Sequence, residues 1–228
     1  MERVYLSPHF DDAAYSCGGL IWEQVQQGDR VSILTICAGT PPPGPISDYA
    51  QSLHTRWATG LEAVDVRAEE NRYSSQILGA KVINLNIPDV IYRHSPADGS
   101  LISASAADLT AELRPEEGPL IDKLIDQLDK KIPLNSEITS PLALGGHVDH
   151  RLVRAAVKRL GRPARYYADF PYLMELDPAE SLLKGKMQHQ MHPVSEIGLI
   201  ACQRSIAANA SQLSTLWNDV EEMRAAVE

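Results

Sequence analysis

The segment from Val31 to Cys37 constrains the fold more than any other feature of this 228-residue sequence. It reads VSILTIC, a nearly continuous run of β-branched and apolar residues. Such runs are typical of strands that are buried on both faces, as in a parallel sheet covered by helices. The segment therefore predicts an α/β fold in which this strand lies inside the sheet.

The residues before this segment complete a strand-helix-strand unit. Arg3 to Ser7 is a short apolar run that predicts a first strand, and Ala13 to Gln27 predicts a helix that stops at Gly28. Strand, helix and strand follow one another within about 35 residues, which is the length of a βαβ unit.

Further strands and helices alternate along the rest of the chain. Strands are predicted for Lys81 to Leu85, Glu137 to Leu142 and Arg165 to Phe170. Helices are predicted for Pro119 to Lys130 and Val148 to Leu160, one or two helices for Tyr49 to Leu78, and a helical tail for Asn209 to Val227. This alternation predicts a doubly wound, mostly parallel sheet with helices on both faces. The length predicts that residues 1–228 form a single domain.

Charge and cysteine content exclude several classes of protein. The formal net charge is −9, which argues against nucleic-acid binding and against docking on anionic membranes. No run approaches the roughly 20 apolar residues of a membrane span, and no signal-peptide pattern opens the sequence. Three cysteines without a CxxC spacing predict a reduced, cytoplasmic protein. These features are compatible with a monomer and with a homo-oligomer.

Side chains that can carry chemistry follow two of the predicted strands directly. SPHFDD comes after the first strand, and GGHVDH comes after the strand that begins at Glu137. In doubly wound sheets, ligands bind beyond the carboxyl ends of the strands. Both segments are therefore expected at the same edge of the sheet.

The residue types in these segments suit a hydrolytic metal site. Such a site needs three nitrogen or oxygen ligands, an open position for water, a nearby base and a polar group for the oxyanion. His9 and Asp12 are three residues apart across a strand-to-helix turn, so both can converge on one ion, while Asp11 points differently and can act on water. His147 and His150 share one face at the start of a helix.

A simpler interpretation of Asp11 and Asp12 is helix capping. Two aspartates at the start of a helix stabilise its dipole by about 0.3–1 kcal/mol without any chemistry. The presence of His9 beside them, and of HVDH at the same predicted edge, favours the metal site. A second HxxH pair, His189 and His192, precedes Pro193 and is interpreted as a solvated loop pair.

Both motifs resemble those of a known family. SPHFDDAAYSCGG is similar to the PHPDDE-type motif of the PIG-L/LmbE-like zinc-dependent N-acetylglucosamine deacetylases, and GGHVDH resembles the HPDH motif of that family. Weaker similarities include Arg67 and Glu70 on a helix that ends in Leu-Gly, the segment ADFPY, and ANASQLSTLW near the C-terminus. The resemblance covers most of the chain, and the two metal motifs are its specific part.

The resemblance implies a Rossmann-like α/β/α sandwich, which agrees with the predicted fold, and a role for each matched residue. The implied roles are zinc ligands for His9, Asp12 and His150, the general base for Asp11, polarisation of the acetyl carbonyl for His147, orientation of an imidazole for Asp149, and a sugar contact for Arg67. Either Asp11 or His147 would return a proton to the leaving amine.

The implied activity is hydrolysis of the acetyl amide of an N-acetylated sugar or sugar conjugate. Zinc is the expected cofactor, although two histidines and an aspartate also accept other divalent ions such as Fe²⁺. Two alternatives remain: a metal-dependent hydrolase of another amide or ester, and a non-catalytic, metal-containing sugar-binding protein. Asp11 and His147 argue against the second, because a pure binding site needs neither.

The first motif departs from the family pattern at two positions. Phe10 stands where many members have proline, and Ala13 stands where many have glutamate. Neither position is an expected ligand. The missing glutamate removes an anion near the site, so these departures bear on metal affinity, rate and substrate more than on the ligand set.

Overall fold

The computed structural model describes residues 1–175, 187–188 and 190–228. Its strands are β1 (Glu2–Ser7), β2 (Arg30–Thr35), β3 (Lys81–Asn84), β4 (Glu137–Pro141) and β5 (Ala164–Tyr167). Its α-helices are α1 (Asp12–Gln26), α2 (Asp48–Arg56), α3 (Ala63–Leu78), α4 (Gly118–Lys131), α5 (Val148–Leu160), α6 (Tyr172–Glu175), α7 (Glu196–Ala207), α8 (Ala210–Leu216) and α9 (Val220–Val227). Short 3₁₀ turns occupy Gly60–Glu62, Val90–Tyr92, Ala106–Thr110, Pro115–Glu117 and Leu144–Gly146.

All five strands are parallel and lie in the order β3-β2-β1-β4-β5. In the central strand β1, Tyr5 aligns with Ile33 of β2 on one side and with Thr139 of β4 on the other. The chain winds outward from β1 to β3 and then crosses to β4 and β5. This order confirms the predicted doubly wound α/β fold and puts its topological switch point between β1 and β4, where such folds bind ligands.

Helices cover both faces of the sheet. On one face, Leu6 of β1 packs with Leu124 of α4 and Leu152 of α5. On the other face, Tyr5 of β1 packs with Ile21 of α1 and with residues of α3 and α7. Successive side chains of a strand point to opposite faces, so β1 contributes to both cores and is fully covered. The observed layers confirm the expected α/β/α sandwich.

Helix α7 was not predicted from the sequence. Its buried positions have helical spacing but carry small or polar residues as well as one isoleucine: Gly198, Ala201, Cys202, Ser205 and Ile206. A Cβ atom on Gly18 of α1 would lie 3.0 Å from the Cys202 Sγ atom, so the two helices pack closely. Close contact through small residues stabilises this pair without a hydrophobic stripe, and the hydrophobic pattern therefore did not reveal it.

The helical tail predicted for Asn209 to Val227 is divided in the structure. The structure has two helices there, α8 and α9, and the backbone between them is extended at Trp217 (φ −138°, ψ 152°). The Trp217 ring is buried and packs 5.7 Å from the ring of Tyr15. The Asp219 side chain then accepts the N–H of Glu222 and caps α9. Burial of Trp217 thus separates two helices within a segment whose hydrophobic periodicity is helical throughout.

Two features of the described residues bear on the excluded classes. None of the helices in residues 1–175 and 190–228 combines the length and the hydrophobicity that a bilayer crossing requires. Cys17, Cys37 and Cys202 are buried and free.

Candidate metal centre and active site

The two predicted motifs meet at the carboxyl edge of the sheet, at the switch point. The turn between β1 and α1 carries the first motif, and the first turn of α5, which follows β4, carries the second. The ring centroid of His9 lies 4.8 Å from that of His147 and 5.5 Å from that of His150. The structure therefore brings together side chains that are far apart in the sequence, as the motif positions predicted.

A serine hydroxyl shapes the turn after β1. Ser7 Oγ donates to the carbonyl of His9 at 2.6 Å and accepts the N–H of Ala13 at 3.0 Å. These bonds hold the first motif against the start of α1. The Ala13 side chain is fully buried in the core under this helix. A glutamate at this position would need a partner for its carboxylate inside that core.

Two glycines shape the turn after β4. Gly145 and Gly146 have φ values of +71° and +72°, a region that L side chains rarely adopt. A Cβ atom on Gly145 would lie 2.2 Å from Cδ1 of Tyr172. This tight turn delivers His147 to the N-cap position of α5, where its ring accepts a helix N–H.

The carboxylate of Asp12 faces both His9 and His150 at distances typical of ligands around one ion. The Nδ1 atom of His9 lies 3.2 Å from Oδ2 of Asp12, and Nε2 of His150 lies 3.3 Å from Oδ1 of the same carboxylate. Tetrahedral zinc with bonds of about 2.0–2.1 Å holds its ligand atoms about 3.3 Å apart. The residues present therefore fit a divalent ion in both donor type and separation.

A carboxylate lies behind each of these two imidazoles. Nε2 of His9 is 3.1 Å from Oδ2 of Asp149, and Nδ1 of His150 is 2.6 Å from Oδ1 of Asp169. Carboxylates in this position fix the tautomer and the orientation of metal-binding histidines. Asp149 is the residue that was expected to orient an imidazole. Asp169 was missed, and its only signal is its position just after β5, at the same edge of the sheet.

The carboxylates of the site stabilise positive charge on the imidazoles of His9 and His150. Burial on its own disfavours the charged imidazole, but Asp12 and Asp169 raise the pKa of His150 to about 9. Burial likewise opposes the charge on His9, and Asp89 and Asp12 nevertheless raise its pKa well above the usual value. The pKa of Asp12 is held well below its usual range against the effect of burial, because both imidazoles are adjacent.

His147 is in a different electrostatic state from the other two histidines. Its Nδ1 accepts the N–H of Asp149 at 3.2 Å, so the proton of the neutral ring sits on Nε2. Burial, and then the charge on His9, lower the pKa of His147 to about 3. The ring is therefore a neutral hydrogen-bond donor. Ring nitrogens of His9, His147 and His150 also lie within 4.8 Å of one another, which makes His147 the alternative third ligand.

Asp11 lies in the wall of the same cleft. Its Oδ1 is 3.6 Å from Nη2 of Arg67. Burial raises the pKa of Asp11, and the guanidinium of Arg67 partly offsets this rise. A carboxylate with a raised pKa is a stronger base than an ordinary aspartate.

Arg67 lies deep in the cleft wall between two aromatic rings. Its guanidinium carbon is 4.7 Å from the centre of the Trp57 ring and 5.5 Å from that of Phe10. Its side chain is 9% exposed, and Nη1 lies 4.0 Å from Oδ2 of Asp89. Phe10, a departure from the family pattern, thus packs against the arginine that was predicted to contact the sugar.

Asp89 is a second site residue that sequence reasoning missed. It belongs to the loop after β3, and its Oδ2 lies 3.7 Å from Nε2 of His9. Its Oδ1 accepts the N–H of Ile91 at 3.2 Å, which orients the carboxylate. The sequence feature that could have identified Asp89 is its position, because its loop begins at the carboxyl end of a parallel strand.

The second HxxH pair does not contribute to the described site. His192 is exposed and is not among the residues that line the cleft. His189 lies outside the described residues.

The fold and the site together define a class of protein. It is a doubly wound α/β protein with a histidine and aspartate centre, suited to metal-dependent hydrolysis, at its switch point. Residues 4–160 match the family described as "PIG-L: GlcNAc-PI de-N-acetylase". This match covers more than half of the chain, and the chain therefore belongs to the PIG-L family, as the motif resemblance predicted.

Two similar proteins are named as deacetylases. The chain is 30% identical over 185 residues to a 2'-N-acetylparomamine deacetylase of Niallia circulans, covering 74% of this chain and 66% of that protein. A protein of the same name from Streptomyces fradiae is 27% identical over 192 residues, covering 78% and 60%. The chain thus spans less than two thirds of the length of these relatives.

Two solved structures are similar over nearly the whole chain. One is the zinc-inhibited form of teicoplanin deacetylase Orf2, with a TM-score of 0.84 and 25% identity over 100% of this chain and 90% of that one. The other is a deacetylase complex from the biosynthesis pathway of teicoplanin, with a TM-score of 0.82 and 26% identity over 95% and 86%. These likenesses confirm the predicted fold.

Proposed function

We propose that this protein removes the acetyl group from an N-acetylated amino sugar or sugar conjugate by metal-dependent hydrolysis. One observation carries the proposal. The Asp12 carboxylate lies 3.2 Å from Nδ1 of His9 and 3.3 Å from Nε2 of His150, and the cleft that contains these groups also holds a spare carboxylate, Asp11, and a neutral imidazole, His147. A hydrolase needs a base and an oxyanion donor beside its metal ligands. A site that only binds a metal needs three or four ligands and neither of these groups.

Zinc is the proposed metal, held by His9, Asp12 and His150. When bound, it supplies Lewis acidity toward a water molecule and toward the acetyl carbonyl oxygen. Asp149 and Asp169 orient the imidazoles of His9 and His150 toward the metal position. Because the same donor set accepts Fe²⁺, the metal content has to be measured rather than assumed.

The remaining residues have distinct tasks in the proposed reaction. Asp11 takes a proton from the attacking water, a task that its raised pKa favours. His147 donates its Nε2–H to the oxygen on which negative charge develops, a contribution of the kind that one oxyanion-hole donor makes. The leaving amine must regain a proton, and Asp11, which holds the proton taken from water, returns it. His147 is neutral and has taken up no proton, so it acts as a hydrogen-bond donor only.

The substrate class follows from the cleft and from the relatives. Its walls include the aromatic side chains Tyr49 and Tyr172, which offer flat surfaces for the apolar face of a sugar ring. The similar proteins are named for N-acetylparomamine and teicoplanin, both sugar-containing molecules. Arg67, with both ring partners beside it, is the proposed contact for a sugar hydroxyl.

Metal analysis paired with acetate release tests this proposal. The purified protein is loaded with zinc or with Fe²⁺ and incubated with 2'-N-acetylparomamine, N-acetylglucosamine and an N-acetylated glycopeptide. The Asp11→Asn variant, carrying the same metal, is the matched control for contaminating activity. Acetate release by the wild type alone supports the proposal.

The same experiment separates the alternatives. Metal binding with hydrolysis only of other amides or esters would replace the substrate class. Metal and sugar binding without any hydrolysis would favour a binding protein. Failure of the wild type to bind a divalent ion would overturn the metal centre itself.

A further inference from the structure

A buried chain of charges lies behind the metal centre. Nη1 of Arg93 donates to Oδ1 of Asp149 at 2.5 Å and to the carbonyl of Pro88 at 3.1 Å. Nη2 of the same guanidinium donates to Oε1 of Glu117 at 2.8 Å. The side chains of Arg93, Glu117 and Asp149 are 7%, 3% and 0% exposed, so water screens none of these contacts.

The two oxygens of the Asp149 carboxylate have different partners, one in this row of buried charges and one in the metal centre. Oδ1 receives Arg93, whereas Oδ2 pairs with Nε2 of His9 at 3.1 Å and accepts the N–H of Val90 at 3.0 Å. The orientation of the carboxylate is therefore set from one side by the guanidinium. The carboxylate in turn orients the His9 ring through Nε2. This orientation directs the other ring nitrogen, Nδ1, toward Asp12.

Neither Arg93 nor Glu117 lines the cleft. They therefore do not contact substrate directly, and their ion-paired path to His9 runs through Asp149. Arg93 also holds the loop that carries Asp89, through the carbonyl of Pro88. Arg93 lies in the loop after β3, directly after the 3₁₀ turn Val90–Tyr92, and Glu117 lies just before α4, so the pair also ties two segments to the start of α5. Burying one cation against two anions is costly, and a simple apolar core would stabilise these segments without such an arrangement.

We infer that Arg93 and Glu117 are positioning residues that set the affinity of this protein for its divalent cation through Asp149 and His9. The inference rests on the metal centre of the proposed function. Partners behind the ligands typically contribute 10- to 100-fold in metal affinity, roughly the range expected here. A role limited to stability would leave that affinity unchanged.

Arg93→Lys and Glu117→Gln are the variants that test this inference. Lysine keeps the charge but loses the planar fork that joins two carboxylates, and glutamine keeps the shape of Glu117 without its charge. Zinc affinity of the metal-stripped proteins is measured by competition with a chromophoric chelator, and thermal stability is measured alongside. We expect roughly 10-fold or greater weakening for Arg93→Lys and a smaller weakening for Glu117→Gln.

Arg3→Lys is the matched control. Arg3 also joins two carboxylates, Asp29 and Glu137, but it does so at the amino end of the sheet. We expect this variant to lose stability without any change in zinc affinity. The absorption spectrum of the Co²⁺-substituted proteins gives a second readout, since it reports the geometry around the ion and should change only in the Arg93 and Glu117 variants.

The outcomes separate the two levels of the proposal. Wild-type zinc affinity in both variants, with lowered stability, would overturn the positioning role and leave the metal centre intact. If Arg93→Lys does not fold, Glu117→Gln decides by the same criterion. Zinc binding that survives His150→Ala unchanged would instead overturn the metal centre on which the inference rests.

Discussion

The Nδ1 atom of His150 lies 2.6 Å from Oδ1 of Asp169, and both side chains are 1% exposed. This pair turns the other ring nitrogen of His150 toward the carboxylate of Asp12. Asp169 Oδ2 also accepts the N–H of Leu144 at 3.0 Å, which anchors the turn before His147. One carboxylate thus orients a proposed ligand and holds the segment that delivers a proposed catalytic group.

Replacement of Asp169 by asparagine should weaken zinc binding by roughly 10- to 100-fold. The amide lacks the negative charge that raises the basicity of the ring. It also has one acceptor where Asp169 accepts from two groups, His150 and Leu144. Chelator competition measures the change. Asp122→Asn, at an exposed ion pair on α4, is the control and should bind zinc like the wild type.

Asp11→Asn should keep the metal and lose most of its turnover. Asparagine has nearly the same shape but cannot take a proton from water, so we expect kcat to fall by roughly 10²- to 10⁴-fold. Metal content is determined on the same samples by elemental analysis. Turnover equal to that of the wild type would remove Asp11 as the base.

His147→Ala distinguishes a catalytic donor from a ligand. The neutral ring with its proton on Nε2 predicts that zinc is retained and that kcat falls by roughly 10²- to 10³-fold. Loss of zinc from this variant would instead favour the alternative triad, in which His147 joins His9 and His150 as a ligand. Zinc affinity and kcat measured together decide between the two.

The sheet was predictable because its signals are local. A strand buried on both faces, such as β2, shows a continuous apolar run, and α5 was predicted with its observed limits from periodicity and its closing glycine. Helix α7 and the break at Trp217 were not predictable in this way. Both depend on contacts with α1, which lies far away in the sequence.

Motif spacing predicted the proposed metal ligands but not the carboxylates that surround them. His9, Asp12 and His150 belong to two short motifs whose positions after strands predict that they meet. Asp89 and Asp169 are single carboxylates in loops, and only the parallel order of the strands brings them to the same edge. A lone aspartate has no signature that distinguishes it from a solvated loop residue.

The affinity for zinc should depend on pH through His150. Its pKa of about 9 means that at neutral pH the metal-free ring carries a proton that zinc must displace. Raising the pH removes this competitor and also the proton on His9, whose pKa is raised as well. Apparent affinity should therefore increase about tenfold per pH unit for each displaced proton, and the contribution of His150 should level off above about pH 9.

Calorimetric titration with zinc in two buffers of different ionisation enthalpy counts the protons released. We expect at least one near neutral pH, and affinity that does not change with pH would contradict the prediction. Asp169→Asn provides the internal comparison. Because Asp169 helps to raise the pKa of His150, its removal should lower that pKa and bring the plateau of zinc affinity to a lower pH. A plateau at the same pH in both proteins would mean that Asp169 orients the ring without controlling its proton.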